Sequence, residues 1–276
     1  MKIALYQART GIDPDASARD IGQAVRDAAA AGAVMLFTPE MSGMLDRERE
    51  RARANLRPEA EDAVLAAARA AARDAGIWVH LGSLALKDER ADGRLVNRGF
   101  VIDGAGEIRA RYDKMHLFDV DLPTGESWRE SAAYGAGEGP VAVETPLGLL
   151  GLSICYDIRF PDLYRALTDA GAVILSIPAA FTVPTGEAHW HALLRARAIE
   201  AGVFVVATAQ SGRHADGRET FGHSLVVGPW GEVLLDMGDA NGLGFAEIDP
   251  AAVEAVRARV PAIRHRRAIG PVRVVR

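Results

Sequence analysis

At 276 residues, with 49% hydrophobic and 25% charged side chains, the chain has the composition of a globular protein long enough to bury a large core. Its net charge of −5 is modest and no basic block occurs, which argues against nucleic acid or an anionic membrane as the main partner and leaves small molecules. One cysteine cannot make an internal disulfide, and the N-terminus runs straight into a strand pattern without a cleavable signal, so a cytoplasmic location is expected. The longest uncharged stretch, 170–186, is shorter than the roughly 20 apolar residues of a membrane span and is broken by Pro178 and Pro184.

Lys2–Gln7 reads as a short apolar strand. Asp13-Pro14 is a helix-start signal ahead of Ala18, Ile21, Val25 and Ala28, and Gly32 stops that helix. Residues 33–37 form a second buried strand ending in Thr38-Pro39-Glu40. Strand, helix, strand predicts an α/β unit, whose functional side chains sit just beyond the carboxyl ends of strands; Glu40 stands at such an end, as a site residue or a plain loop acid. Residues 46–57 are charged, a solvated helix or lid-like connection. From Pro58 the pattern predicts an amphipathic helix with Glu59, Glu61 and Asp62 in its first turn, Val64, Leu65, Ala68 and Ala72 on one face, and Gly76 closing it. Residues 77–85 and 95–102 predict neighbouring antiparallel strands across the polar segment 87–94, with a turn at 103–106 into a further strand over 107–112.

The segment 112–120 mixes charge with apolar residues ahead of an irregular stretch over 121–139, the kind of long loop that walls active sites. Lys114 reads as a fixed cation for a developing oxyanion or as a surface lysine, and His116 as a structural histidine or as the partner in a Cys–His hydrolase. Cys155 ends the apolar strand 149–154, and Pro161 opens a helix carrying Leu163, Tyr164 and Leu167. The N–H groups and positive dipole end of that helix are expected to favour the thiolate; the plain alternative is a small buried hydrophobe.

Further strands are predicted over 172–177, 203–208, 223–227, 232–236 and 244–248, with a hairpin turn at 228–231. A helix over 187–201 turns Leu193, Leu194, Ala198 and Ala201 inward and leaves Arg195 and Arg197 for ion pairs. Residues 250–276 hold a short helix and the basic run Arg264 to Arg267, read as a solvated or subunit-contacting tail. No repeat or composition break divides the chain, so one domain over 1–267 with a tail over 268–276 is expected, built of mixed sheets covered by helices. Dinucleotide, P-loop, His-Glu-x-x-His and paired-cysteine signatures are lacking, so no cofactor and no metal is expected.

Glu40, Lys114 and Cys155 each fall inside a longer phrase. Phe37-Thr-Pro-Glu40, Tyr112-Asp-Lys-Met-His-Leu-Phe118 and Gly151-Leu-Ser-Ile-Cys-Tyr-Asp-Ile-Arg-Phe-Pro161 resemble the nitrilase superfamily of carbon–nitrogen hydrolases, from the first strand to about residue 267. Thr185-Gly-Glu-Ala-His-Trp190, Leu194-Arg-Ala-Arg-Ala-Ile-Glu200 and Phe221-Gly-His-Ser-Leu-Val-Val-Gly-Pro-Trp-Gly231 are similar to its Nit branch of amidases. The resemblance implies a four-layer αββα sandwich, a homodimer or higher homo-oligomer, and no cofactor. Residue by residue it implies Cys155 as nucleophile, Glu40 as general base, Lys114 as the cation for the tetrahedral intermediate, and Glu130, in the looser phrase Trp128-Arg-Glu-Ser131, as a second glutamate supporting base and lysine.

Amide hydrolysis uses those residue types: a carboxylate takes the thiol proton and returns one to departing ammonia, an ammonium and the Tyr156 backbone N–H hold the oxyanion, and a thioester forms and is hydrolysed. The phrase Ser211-Gly-Arg-His-Ala-Asp-Gly-Arg218 is similar to branch members that remove the amide nitrogen from deaminated glutathione, and less closely to ω-amidases of α-keto acid amides. Both substrates are anionic, which makes Arg159, Arg213 and Arg218 candidates for a carboxylate, each with a structural ion pair as the alternative. Asp162 and His191 stand where the branch commonly has glutamate. The expectation is a cysteine-dependent amidase for a small linear amide, with an N-carbamoyl-amine or -amino-acid hydrolase, a nitrilase and a non-catalytic interaction module as alternatives.

Overall fold

A computed structural model describes residues 1–88, 92–121, 125 and 127–275. The strands begin with β1 (Lys2–Gln7), β2 (Met35–Phe37), β3 (Trp78–Leu86), β4 (Val96–Ile102) and β5 (Ile108–Asp113). A small hairpin, β6 (Asp119–Asp121) and β7 (Ser127–Arg129), precedes β8 (Ala142–Thr145), β9 (Gly148–Leu152), β10 (Ile174–Ser176) and β11 (Phe204–Ala207). A second hairpin, β12 (Ser211–Arg213) and β13 (Glu219–Phe221), leads to β14 (Leu225–Val227), β15 (Val233–Asp236) and β16 (Gly242–Glu247). Among the described residues these make two six-stranded sheets, ordered β16-β1-β2-β3-β4-β5 and β15-β14-β11-β10-β9-β8. The centre of each sheet is parallel, β1-β2-β3 and β9-β10-β11, and the flanking strands are antiparallel.

The helices are α1 (Pro14–Ala30), α2 (Arg49–Asn55), α3 (Ala63–Ala75), α4 (Pro161–Asp169), α5 (Val183–Ala201) and α6 (Ala251–Arg259). The Asp13 carboxylate caps α1, whose Ile21, Val25 and Ala28 pack with Val64, Leu65, Ala68 and Ala72 of α3 over the outer face of the first sheet. On the second sheet Leu163, Tyr164 and Leu167 of α4 and Trp190, Leu194 and Ala198 of α5 do the same. Strand alternation divides β1 between layers: Ile3 and Leu5 face the core between the sheets, with Met35 and Phe37, while Ala4 lies under the helices. The result is the αββα sandwich.

Several expectations are corrected in detail. Glu59 and Glu61 lie in a 3-10 turn, and α3 starts only after Asp62, whose carboxylate accepts the Leu65 N–H at 2.8 Å. Glu59 is held away from the helix by Arg98 and Arg111. The stretch 121–139 is not wholly irregular, since β7 pairs with β6; β8, β12 and β13 are short, half-exposed strands without an apolar run. Leu193 is only partly buried, and Arg197, which does pair with Glu200 at 2.9 Å, is itself buried, donating also to the Ile158 carbonyl and lying over the Tyr164 ring. Within the polar segment 87–94, residues 89–91 lie outside the described residues. No helix among the described residues is long and apolar enough to cross a membrane.

Candidate active site

Three loops at strand ends meet above the inter-sheet core. Residues 38–42, after β2, are seated by an irregularity of β3 between Leu81 and Leu84. There the Gly82 N–H donates to Thr38 Oγ1 at 3.0 Å, and Ser83 Oγ accepts the Met41 N–H at 2.9 Å. A Cβ on Gly82 would stand 2.1 Å from the Thr38 carbonyl oxygen, so only glycine admits the loop at this distance. Lys114 follows β5, its N–H on the Asn97 carbonyl at 2.9 Å.

Cys155 follows β9 in the left-handed region, at φ 51°, and opens a 3-10 turn, Cys155–Arg159. Such a conformation costs a non-glycine residue about 1–3 kcal/mol. The Asp157 carboxylate offsets it by accepting the Tyr112 hydroxyl at 2.7 Å, the Ile154 N–H at 2.8 Å and the His116 N–H at 3.0 Å, with His116 Nδ1 at 2.7 Å. His116 also stacks on Phe160, ring centroids 3.6 Å apart. It is therefore engaged with the loop's scaffold rather than paired with the thiol.

The structure brings Glu40, Lys114 and Cys155, all buried, together with the partly buried Glu130 in one cluster. Lys114 Nζ donates to Glu40 Oε1 at 2.9 Å and to Glu130 Oε2 and Oε1 at 2.9 and 3.1 Å. Asn97 Nδ2 bridges the same two carboxylates at 2.9 and 3.3 Å, the Ala180 N–H reaches Glu40 Oε2 at 3.0 Å, and the Phe118 N–H reaches Glu130 Oε2 at 2.6 Å. Gln210 holds the Glu40 backbone carbonyl at 2.9 Å. Burial by itself would pull the Lys114 ammonium down, but Glu130, Glu40 and the Cys155 sulfur outweigh it and hold the group well above its ordinary range.

Burial, and then the nearby Glu40 carboxylate, push the Cys155 thiol well above the usual thiol range, against the pull of Lys114. This corrects the expected thiolate: α4 begins only at Pro161, beyond the 3-10 turn, and two carboxylates already surround one ammonium.

A cavity of about 760 Å³ opens above this floor. Tyr156 lines it, edge-on to Phe118 and Phe160. Arg159 lines it as well, its guanidinium over Phe181 at 5.5 Å and Tyr156 at 6.0 Å and bonded to His189 Nδ1 at 3.3 Å; no carboxylate among the described residues forms an ion pair with it. Arg218 lines it while paired with Asp216 at 2.7 Å and lying over Trp128. Arg213 does not: it is exposed on β12, away from the cavity lining. Trp128 Nε1, buried on the cavity wall, has no hydrogen-bond partner among the described residues. Asn97, Gln210, Asp157 and Trp128 are the residues that motif reading misses. Only Asp157, two residues past the cysteine, and Asn97, a polar residue in an apolar strand, carry a signal.

The fold and the chemistry of its loops define a hydrolase of non-peptide carbon–nitrogen bonds. The chain belongs to the carbon–nitrogen hydrolase family, whose model matches residues 2–258. Within that family it is an amidase similar to deaminated glutathione amidases. It is 38% identical over 270 residues to that of Bos taurus, covering 96% of this chain and 81% of that one. It is 48% identical over 176 residues to that of Synechocystis sp., covering 63% and 65%. Among solved structures, the C. elegans NitFhit protein matches with a TM-score of 0.88 at 38% identity, over 96% of this chain and 65% of that one. An amidase from Nesterenkonia sp. AN1 matches with a TM-score of 0.77 at 29% identity, over 95% and 98%; the matched mutant shows the result of Michael addition of acrylamide at its active-site cysteine.

Proposed function

We propose that the chain hydrolyses the amide of deaminated glutathione, or of a closely related α-keto acid ω-amide, with Cys155 as nucleophile, Glu40 as general base and acid, Lys114 as oxyanion donor and Glu130 as the second glutamate. The observation that carries the reading is the Lys114 ammonium held between Glu40 and Glu130, with all three and Cys155 lining one cavity. With the thiol pushed above its usual range by burial and the nearby carboxylate, Glu40 takes its proton as the sulfur attacks the carbonyl carbon. The oxyanion then develops against Lys114 Nζ and the Tyr156 N–H, each donor of this kind lowering the barrier by about 3 kcal/mol. Glu40 passes the proton to the nitrogen, the C–N bond breaks, ammonia leaves and a Cys155 thioester remains. A water deprotonated by Glu40 attacks the thioester, and collapse releases the acid and restores the thiol. The balance is amide plus water to carboxylic acid plus ammonia.

Arg159, which forms no ion pair with a carboxylate among the described residues, is suited to a substrate carboxylate, and the Trp128 Nε1–H offers a further donor on the same wall. Oligomerisation, to a homodimer or higher homo-oligomer, and a cytoplasmic location are part of the proposal; light scattering checks the first. The test of the reaction is ammonia release from deaminated glutathione, α-ketoglutaramate, a simple aliphatic amide, an N-carbamoyl amino acid and a nitrile, with Cys155→Ala as blank. Turnover of one of the first two that vanishes in the blank supports the reading. Turnover only of the carbamoyl compound, with carbon dioxide, or only of the nitrile, replaces it with another member of the same superfamily.

A further inference from the structure

Away from the thiol, three elements bring His191 of α5, His223 just before β14 and Asp236 at the end of β15 to one spot at the surface. His191 Nε2 stands 3.0 Å from Asp236 Oδ2, and His223 Nδ1 stands 2.9 and 3.2 Å from Asp236 Oδ1 and Oδ2. One ligand atom from each residue falls within 4.8 Å of the others. All three side chains are partly exposed, 39%, 30% and 34%, so an ion has access. None takes part in the amide chemistry, and His191 is one of the two positions where the chain departs from the branch pattern.

The geometry suits a small borderline cation. In a tetrahedral zinc site with bonds of about 2.0 Å, neighbouring ligand atoms stand about 3.3 Å apart. Both nitrogen–oxygen separations are already near that, and the third edge, between the two imidazole nitrogens, is within 4.8 Å. Two imidazoles and a carboxylate favour Zn²⁺ and the neighbouring late first-row ions over Mg²⁺ or Ca²⁺, which take oxygen ligands. Three protein ligands leave a fourth position for water.

The ligands are also held in place before any ion arrives. His223 is in the left-handed region, at φ 55°, a conformation that costs about 1–3 kcal/mol and persists only where the surroundings enforce it. Here its N–H donates to the Gly238 carbonyl at 2.6 Å, its carbonyl accepts Trp190 Nε1–H at 2.8 Å, and its ring stacks on Phe221 at 4.4 Å. The Gly238 N–H in turn fixes Asp236 Oδ1 at 2.9 Å. Little conformational freedom is left for binding to remove.

We propose that His191, His223 and Asp236 form a binding site for a divalent late transition-metal ion, with Zn²⁺ as the reference. The test is equilibrium dialysis of the full chain against ZnCl₂, with the visible spectrum of added Co²⁺ as a report on geometry, for wild type, Cys155→Ala, His191→Ala and Asp236→Asn. The expected result is one equivalent bound by wild type and by Cys155→Ala, and affinity lowered more than about 100-fold in the other two, since even an outer partner of a metal ligand is worth about 10–100-fold. His191 is on a part-exposed helix face, so circular dichroism and ammonia release by His191→Ala should match wild type. No stoichiometric binding to wild type, binding that survives His191→Ala, or binding lost in Cys155→Ala would each overturn the proposal. The readout is metal bound, so it stands apart from the identity of the amide.

Discussion

Glu40 and Asp157 are both buried carboxylates that reach the loop carrying Cys155, and they are engaged in different ways. Asp157 accepts from the Tyr112 hydroxyl, two backbone N–H groups and the His116 ring, donors fixed by the chain or by packing. Tyr112 is itself pushed far above its ordinary range by burial and by the Asp157 charge, so it keeps its proton. Glu40 accepts from Lys114, Asn97 and the Ala180 N–H, and also meets the thiol of Cys155 at the cavity floor. Burial and charge are common to both. What separates a scaffold carboxylate from one suited to catalysis is a partner that can exchange a proton, placed where a substrate can enter.

Substitutions should pull the two apart. The largest expected effect is that Cys155→Ala abolishes ammonia release while circular dichroism stays near wild type. Glu40→Gln and Lys114→Ala should each lower kcat by about 100-fold or more, the scale of losing a general base or an oxyanion donor, as steady-state kinetics would show. Asp157→Asn should act first on stability, lowering it by about 3 kcal/mol in urea unfolding, because an amide NH₂ then faces donors that a carboxylate had satisfied. Equal profiles for Glu40→Gln and Asp157→Asn would erase the distinction.

His80 extends the comparison to a buried base. It lies between the sheets with Nδ1 unpartnered among the described residues, and burial pushes it down from 6.5 to about 3. The unfolded chain therefore binds the extra proton first. Stability contributed by neutral His80 is complete above about pH 6.5 and falls as the pH drops towards 3, by up to about 1.4 kcal/mol per pH unit. Urea melts across that window should show the slope in wild type and a shallower one in His80→Leu. The smallest effect expected is that Arg159→Ala raises KM about tenfold for an anionic amide and leaves a neutral amide nearly unchanged, the loss of one charge-assisted hydrogen bond.

Much of the fold is legible in the sequence because short apolar runs end at glycine or proline. β1 matches its expected residues, and Gly76 closes α3 in the left-handed region. The strand-end positions of Glu40, Lys114 and Cys155 follow from the same reading. Their partners do not. Asn97 and Glu40 are 57 residues apart and Gln210 and Glu40 are 170 apart, contacts that no local pattern encodes. The resting state of the thiol depends on how many charges converge on it, which only the assembled loops decide. Arg213 ends one strand of a hairpin and Arg218 lies in the connection just before the other, with a register the sequence leaves open, so which of them meets the cavity is a tertiary fact. His191 and Asp236, 45 residues apart, lack the close spacing by which metal ligands are found in a sequence.

The central claim is that Glu40, and not His116, exchanges a proton with Cys155. Ammonia release by Glu40→Gln and His116→Ala, measured side by side on protein of verified fold, tests it most directly. The account predicts a loss of at least about 100-fold in the first and kcat within about tenfold of wild type in the second. Wild-type turnover in Glu40→Gln together with its loss in His116→Ala would contradict the account and make this a Cys–His hydrolase.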